Sequence, residues 1–344
     1  MRSNYHSVYF EISGFCNARC SYCHSGVQRP DKARFVSPEL FRDVLYRLLA
    51  KNIICDKTVI SLYNWGEPTL NPKLGEIIGV INDLGLRYAI STNASRIPTI
   101  NYDFVRNLDH MIFSMPGFSQ EAYDRIHGFK FHEIISNIDR IIRECRQHGY
   151  KGRFSISYHV YRFNVDEMKT CESFADDRRI RFNPYFAILN HWWEINDYIK
   201  GTLAPDRRAA AERDLFTLEG VHQVLRSAPK TRYRCPQNDY LNIDENGQVV
   251  TCCQIARDHP DYACGNANTD NLNVTLNKKR YQPVCGGCIR SGLAYYLNTA
   301  LKRPSFYRPS IRQRITLLSL NLEKLSFSNL TKYAIKIAAK IRQQ

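Results

Sequence analysis

Three cysteines lie within eight residues of one another in the segment GFCNARCSYCHSG, at Cys16, Cys20 and Cys23. Thiolates this close bind a metal or pair as a disulfide. The N-terminal segment MRSNYHSVYFEISGF lacks the apolar core of a secretory signal, and no 18-residue apolar run occurs, so a cytoplasmic protein without a membrane-spanning helix is expected. In a reducing compartment, clustered cysteines point to metal rather than to a disulfide framework. Zinc in a structural site wants four protein ligands. His24 is poorly placed to be the fourth, since it directly follows Cys23. Three thiolates suit a [4Fe–4S] cluster better, with one iron left open to a ligand that the chain does not supply.

A second set follows much later: Cys235, Cys252, Cys253, Cys264, Cys285 and Cys288. The run YLNI, DENG, QVVT reads as a hairpin that carries Cys235 and Cys252 towards each other, and Cys285 and Cys288 add a CxxC in a tight loop. Two hairpin thiolates and a CxxC complete a four-ligand site for zinc or iron–sulfur. Spacing does not choose between Cys252 and Cys253. The remaining three cysteines, Cys55, Cys145 and Cys171, are isolated and read as small buried hydrophobes.

The elements that position the first triplet alternate. Strands are predicted at 5–12, 57–63, 87–92, 110–115, 153–160 and 180–188, with helices at 37–52, 71–85 and 130–149 between them. This pattern predicts an α/β fold with a parallel sheet, an incomplete (β/α)6 barrel, since six units are too few for eightfold closure. Ligands of such sheets gather beyond the C-terminal strand ends, and Cys16 begins four residues after the first strand. The expected division is a core over 1–215, a cysteine-rich module over 216–303 and a basic helical tail over 304–344.

With this context, Cys16-x3-Cys20-x2-Cys23 and Tyr22 before the last cysteine resemble the cluster motif of the radical S-adenosylmethionine (SAM) superfamily. The resemblance covers about residues 5–190. It implies a [4Fe–4S] cluster whose open iron binds SAM, reductive cleavage of SAM to a 5′-deoxyadenosyl radical, and hydrogen abstraction from a substrate C–H. Gly66-Glu67-Pro68 resembles the family's GGEP segment, which meets the SAM amino group, with Trp65 in place of the usual first glycine. Thr92 and Asn93 resemble the segment near the SAM methionine, and Ser114 stands where the family often contacts ribose. The pattern Cys-x11-Gly-x4-Cys followed by CxxC resembles the SPASM/twitch extensions. That likeness implies an auxiliary [4Fe–4S] cluster held by Cys235, Cys252 or Cys253, Cys285 and Cys288; with no cysteine after Cys288, the shorter twitch form is expected.

The implied function is net oxidation of a small molecule such as a sugar or an anionic metabolite, with an external electron donor such as flavodoxin or ferredoxin. Radical epimerisation and peptide or protein maturation are the rivals within the class; with a first strand beginning near residue 5, no N-terminal peptide-recognition domain is expected, which disfavours the peptide reading without excluding it. A non-catalytic iron–sulfur carrier or a nucleic-acid-binding protein is the rival from another class. The net charge of +15 suggests an anionic partner, but residues 302–344 hold +9 of it, which disfavours nucleic acid for the body. In the tail, Ile311, Ile315, Leu318, Leu322 and Leu325 form a helical stripe among basic residues. The tail reads either as packing or as a peripheral anchor on an anionic membrane face or acidic partner.

Overall fold

The computed structural model describes residues 5–28, 32–189, 192–230 and 232–299. The expectation for the basic tail lies outside the described residues.

Six strands, β1 (Ser7–Phe10), β2 (Val59–Ser61), β3 (Arg87–Thr92), β4 (Leu108–Met115), β5 (Arg153–Val160) and β6 (Arg181–Phe186), stand side by side in chain order. Every neighbouring pair among them is parallel. The crossovers carry helices α1 (His24–Val27), α2 (Pro38–Ala50), α3 (Leu74–Asp83), α4 (Tyr102–Arg106), α5 (Gln120–Arg125), α6 (Phe131–Gln147) and α7 (Met168–Asp177). The sheet ends at β6, an edge strand that tolerates Pro184 because a missing N–H costs least there.

The helices form where the pattern requires. In α2, Ser37 accepts the N–H of Leu40 at 3.2 Å, Pro38 opens the first turn, and Phe41, Val44, Leu45 and Leu48 are buried on one face. In α6, Ile134, Ile138, Ile141, Ile142 and Cys145 make the same stripe. These faces meet Val8, Phe10, Ile60, Ile90, Met111, Phe113 and Ile156 from the sheet in one core. Each fully buried aliphatic or aromatic side chain contributes about 1.5–3 kcal/mol. Cys145 and Cys171 lie in this core, as isolated cysteines were expected to, whereas Cys55 is only half-buried.

Successive strand residues point to opposite faces. The inner face, away from the helices, is therefore polar. Ser114 lies opposite Ser157, and His159 opposite Tyr185. The rings of Tyr9 and Tyr63 meet edge to face, 5.6 Å apart.

Beyond β6 the chain forms α8 (Trp192–Lys200), α9 (Pro205–Asp214) and α10 (Val221–Ser227). The expected hairpin follows as β7 (Leu241–Ile243) and β8 (Gln248–Val250), then β9 (Ala263–Asn266). β7 pairs in parallel with β1, so one nine-stranded sheet runs from β6 to β9 and crosses the boundary expected near residue 215. Helices α11 (Leu272–Arg280), α12 (Pro283–Ser291) and α13 (Leu293–Thr299) complete the described chain. The CxxC expected in a tight loop sits within α12, where Cys285 and Cys288 are one turn apart and share a face.

Candidate active site and auxiliary thiol cavity

The loop after β1 is held from several sides. The N–H of Arg19 donates to His127 O at 3.0 Å, and Arg207 of α9 donates to Ser21 O at 2.7 Å while pairing with Glu194 of α8. Gly26 lies so close beneath this loop that a Cβ there would stand 2.1 Å from Cys20 O. Cys16, Cys20 and Cys23 are half-buried, and none of them is in a disulfide. Burial pushes the Cys16 thiol up to about 12, aided by the Glu67 carboxylate.

The segment after β2 is locked to the same loop. The N–H of Glu67 donates to Phe15 O at 2.9 Å, and a Cβ on Gly66 would stand 1.7 Å from Ser13 O, so only glycine fits. Glu67 is buried, and its own chain satisfies most of it. Oε1 accepts from Thr92 Oγ1 at 2.7 Å, Thr69 Oγ1 at 2.7 Å and the N–H of Thr69 at 3.1 Å. Oε2 accepts the N–H of Asn93 at 2.7 Å. Burial pushes this carboxyl up, while the hydrogen bonds favour its ionised form. Asn93 Nδ2 then donates to Asn17 Oδ1 at 3.0 Å and approaches Cys16 Sγ at 3.8 Å. Ala94, with φ 57, occupies the left-handed region next to this network, and Asn137 holds its carbonyl at 2.9 Å.

Cys16, Glu67, Thr92 and Asn93, singled out separately in the sequence, are thus joined by one set of hydrogen bonds. Pro68 begins the short 3-10 turn behind Glu67. Ser114 lies on the inner face of β4. Tyr22 is engaged elsewhere: its hydroxyl donates to Asp214 at 3.0 Å, and Arg207 covers its ring at 4.9 Å.

Sequence reasoning offered Tyr185 of the sixth strand as a residue that could face substrate but did not pair it with His159. The Tyr185 hydroxyl is hydrogen-bonded to His159 Nε2 across β5 and β6, and burial pushes His159 down to about 4. The only signal for it was the aromatic and imidazole content of two strand ends.

A cavity of about 160 Å³ lies in the C-terminal part of the chain, lined by Cys235, Cys252, Cys253, Cys285 and Cys288 together with Trp192, Gln237 and Asn298. The hairpin brings in Cys235 and the Cys252-Cys253 turn, and α12 brings the CxxC. Cys264 does not line it. Its buried sulfur accepts from Gln282 Nε2 at 3.4 Å and lies 3.5 Å from Thr251 Oγ1. Lys279 of α11 is only 1% exposed and donates to Gln237 O at 2.9 Å, behind a residue of the cavity wall. Burial lowers its pKa; the thiols of Cys252, Cys264, Cys285 and Cys235 act in the opposite sense.

Residues 10–174 match the family model described as the Radical SAM superfamily. That superfamily uses a [4Fe–4S] cluster with SAM. SuiB of Streptococcus suis bound to its precursor peptide SuiA has a similar fold, with TM-score 0.55 and 15% identity over 84% of this chain and 67% of that one. The same protein bound to S-adenosylmethionine gives 0.54 and 15% over 84% and 68%. anSMEcpe with bound AdoMet and the Cp18Cys peptide gives 0.54 and 12% over 97% and 99%. At these identities the likeness concerns the fold. No curated protein matches this chain.

Both thiol sites suit iron–sulfur clusters in donor chemistry: soft thiols, three on a braced loop and five around one cavity. Among the described residues no three Cys, His, Asp or Glu side chains converge on a single point as one metal ion requires. A four-iron cluster takes one cysteine per iron and makes no such demand. Among the described residues no helix is long and apolar enough to cross a membrane.

Proposed function

We propose that this chain is a radical SAM enzyme that oxidises a polar substrate at a C–H bond, with Cys16, Cys20 and Cys23 holding the SAM-binding cluster. The observation that carries this reading is the hydrogen-bonded set linking Cys16, Asn93, Thr92 and Glu67 at the C-terminal ends of β1, β2 and β3. Bound in these sites, the first cluster with SAM would supply hydrogen-atom abstraction, and a second, protein-held cluster would accept one electron, a net two-electron oxidation.

The chain's own residues do the positioning. Glu67 takes up the donors of Thr92 and Asn93 and so fixes the loop after β3, which leaves Asn93 directed at Cys16. Gly66 lets the segment after β2 close on the cysteine loop. Arg207 and His127 brace that loop from α9 and from the segment after α5. Lys279 sets a buried cation behind the wall of the cavity where thiolates would gather negative charge. Cys235, Cys285, Cys288 and one of Cys252 and Cys253 are the ligands assigned there.

The inner face supports a polar substrate. Ser114, Ser157, His159 and Tyr185 offer hydroxyl and imidazole groups rather than an apolar wall. A sugar or another hydroxylated, small anionic metabolite fits that face, with electrons from an external donor such as flavodoxin or ferredoxin. A second reading, modification of a peptide, draws on the peptide complexes of SuiB and anSMEcpe, which share the fold. The test is transfer of deuterium from labelled candidates into 5′-deoxyadenosine, with product masses recorded. Deuterium from sugars and a product three mass units lighter than the labelled substrate, one deuterium and one proton lost, support oxidation of a small molecule; deuterium from peptides alone replaces it with the second reading.

A further inference from the structure

Trp65 occupies the place where the superfamily segment carries a glycine, and an indole there requires a reason. Its Nε1 donates to Cys253 O at 2.9 Å, so its side chain is tied to a turn that lines the auxiliary cavity. The same ring lies 4.9 Å from the ring of His24, the residue after Cys23, and stacks on Tyr262 at 6.3 Å. Its backbone is anchored too. Glu11 Oε1 accepts the N–H of Trp65 at 3.0 Å and that of Gly66 at 2.6 Å.

A second chain of contacts runs parallel to it. Arg257, from the loop after β8, donates to Glu11 Oε2 at 3.1 Å and to both oxygens of Glu245 at 2.7 and 2.8 Å, and its guanidinium lies 5.7 Å from the Trp65 ring. Glu11 is 1% exposed, so it depends on these donors. Burial pushes Glu11 up; Arg257 opposes that most, Glu245 adds to it, and the two N–H groups favour the ionised form.

We propose that Trp65 couples the auxiliary thiol site to SAM binding, so that filling the auxiliary site raises the affinity for SAM, and SAM in turn stabilises the auxiliary cluster. The reasoning is mechanical. Ligation at the cavity fixes the Cys252–Cys253 turn and with it the acceptor of the indole N–H. Movement of Trp65 is not freely absorbed at the next residue, because the Gly66 N–H is held by Glu11 Oε1 at 2.6 Å and Gly66 packs against Ser13 O with no room even for a Cβ. Displacement therefore passes to Glu67, and through it to Thr92 and Asn93. By linkage the effect is reciprocal.

The coupling rests on the reading that SAM binds beside Glu67 and Asn93. Its test measures SAM affinity by anaerobic equilibrium dialysis without reductant, for wild-type, C285A/C288A, W65F and the combined variant, each retaining about four first-site irons. Removing the auxiliary cluster should weaken SAM binding by about fivefold or more, the low end of usual intersite coupling. W65F keeps an aromatic ring, though a smaller one, and loses the donor, and in its background the same removal should have a smaller effect. Equal ratios in both backgrounds, or no change on removal, would overturn the coupling while leaving SAM binding intact. A wild-type protein that binds no SAM would remove the functional reading and the coupling together. A second measurement needs no cysteine variant: chelator-driven loss of auxiliary iron should slow on adding SAM in wild-type and respond less in W65F, and an equal response in both overturns the proposal.

Discussion

The N–H of Asn93 donates to Glu67 Oε2 at 2.7 Å, which places a buried carboxylate directly behind the loop whose side-chain amide reaches Cys16. Glu67 is therefore a positioning residue before it is anything else. Glu67→Gln replaces an acceptor with a donor opposite Thr92 or Asn93. Hydrogen bonds to charged groups contribute about 1.5–3 kcal/mol each, so the variant should lose about 2–3 kcal/mol of stability and bind SAM at least about tenfold more weakly. Urea unfolding and SAM dialysis on the same preparation check this; unchanged values in both would remove Glu67 from the network's centre.

The two classes of C-terminal cysteine should separate cleanly. Cys264 is held by Gln282 and Thr251 away from the cavity, so Cys264→Ser should keep the full iron content after anaerobic reconstitution, about eight irons per chain for two clusters. Cys285→Ala/Cys288→Ala should lose about half. Iron and sulfide analysis decides; loss of iron in the Cys264 variant would move that residue into the ligand set.

His127 gives a pH dependence. It is 2% exposed, and burial, with His159 adding to it, holds its pKa at about 3. The unfolded imidazole titrates near 6.5, so below that pH the unfolded chain binds a proton that the native chain refuses. The native state is favoured at pH 7, and this contribution is lost as pH falls from about 6.5 towards 3. Between pH 7 and pH 5 wild-type should lose about 2 kcal/mol more stability than His127→Gln. Urea unfolding at the two pH values measures it, and parallel losses in both proteins would contradict the assignment.

Much of the core was legible because its period is local. β3 and β5 fall on the expected residues 87–92 and 153–160, where apolar residues alternate with Ser, Tyr or His. α2 and α6 likewise follow their 3–4 spacing and end within two residues of expectation. β2 is shorter than its apolar run, since pairing with β1 and β3 covers only Val59–Ser61. The cysteine spacing singled out both thiol sets, and five cysteines of the second line one cavity. What escaped was set by contacts remote in sequence: the parallel pairing of β7 with β1, the Arg257–Glu11 contact, and the indole of Trp65 reaching Cys253. Cys264, which the hairpin and CxxC pattern left out of the ligand set, is held by Gln282.

The measurement closest to the central claim is SAM cleavage by the anaerobically reconstituted, chemically reduced protein. Wild-type should form 5′-deoxyadenosine and methionine, and the Cys16→Ala/Cys20→Ala/Cys23→Ala variant should form neither while retaining about four irons at the auxiliary site. Absence of 5′-deoxyadenosine from iron-replete wild-type protein, or its continued formation by the triple variant, would contradict the account.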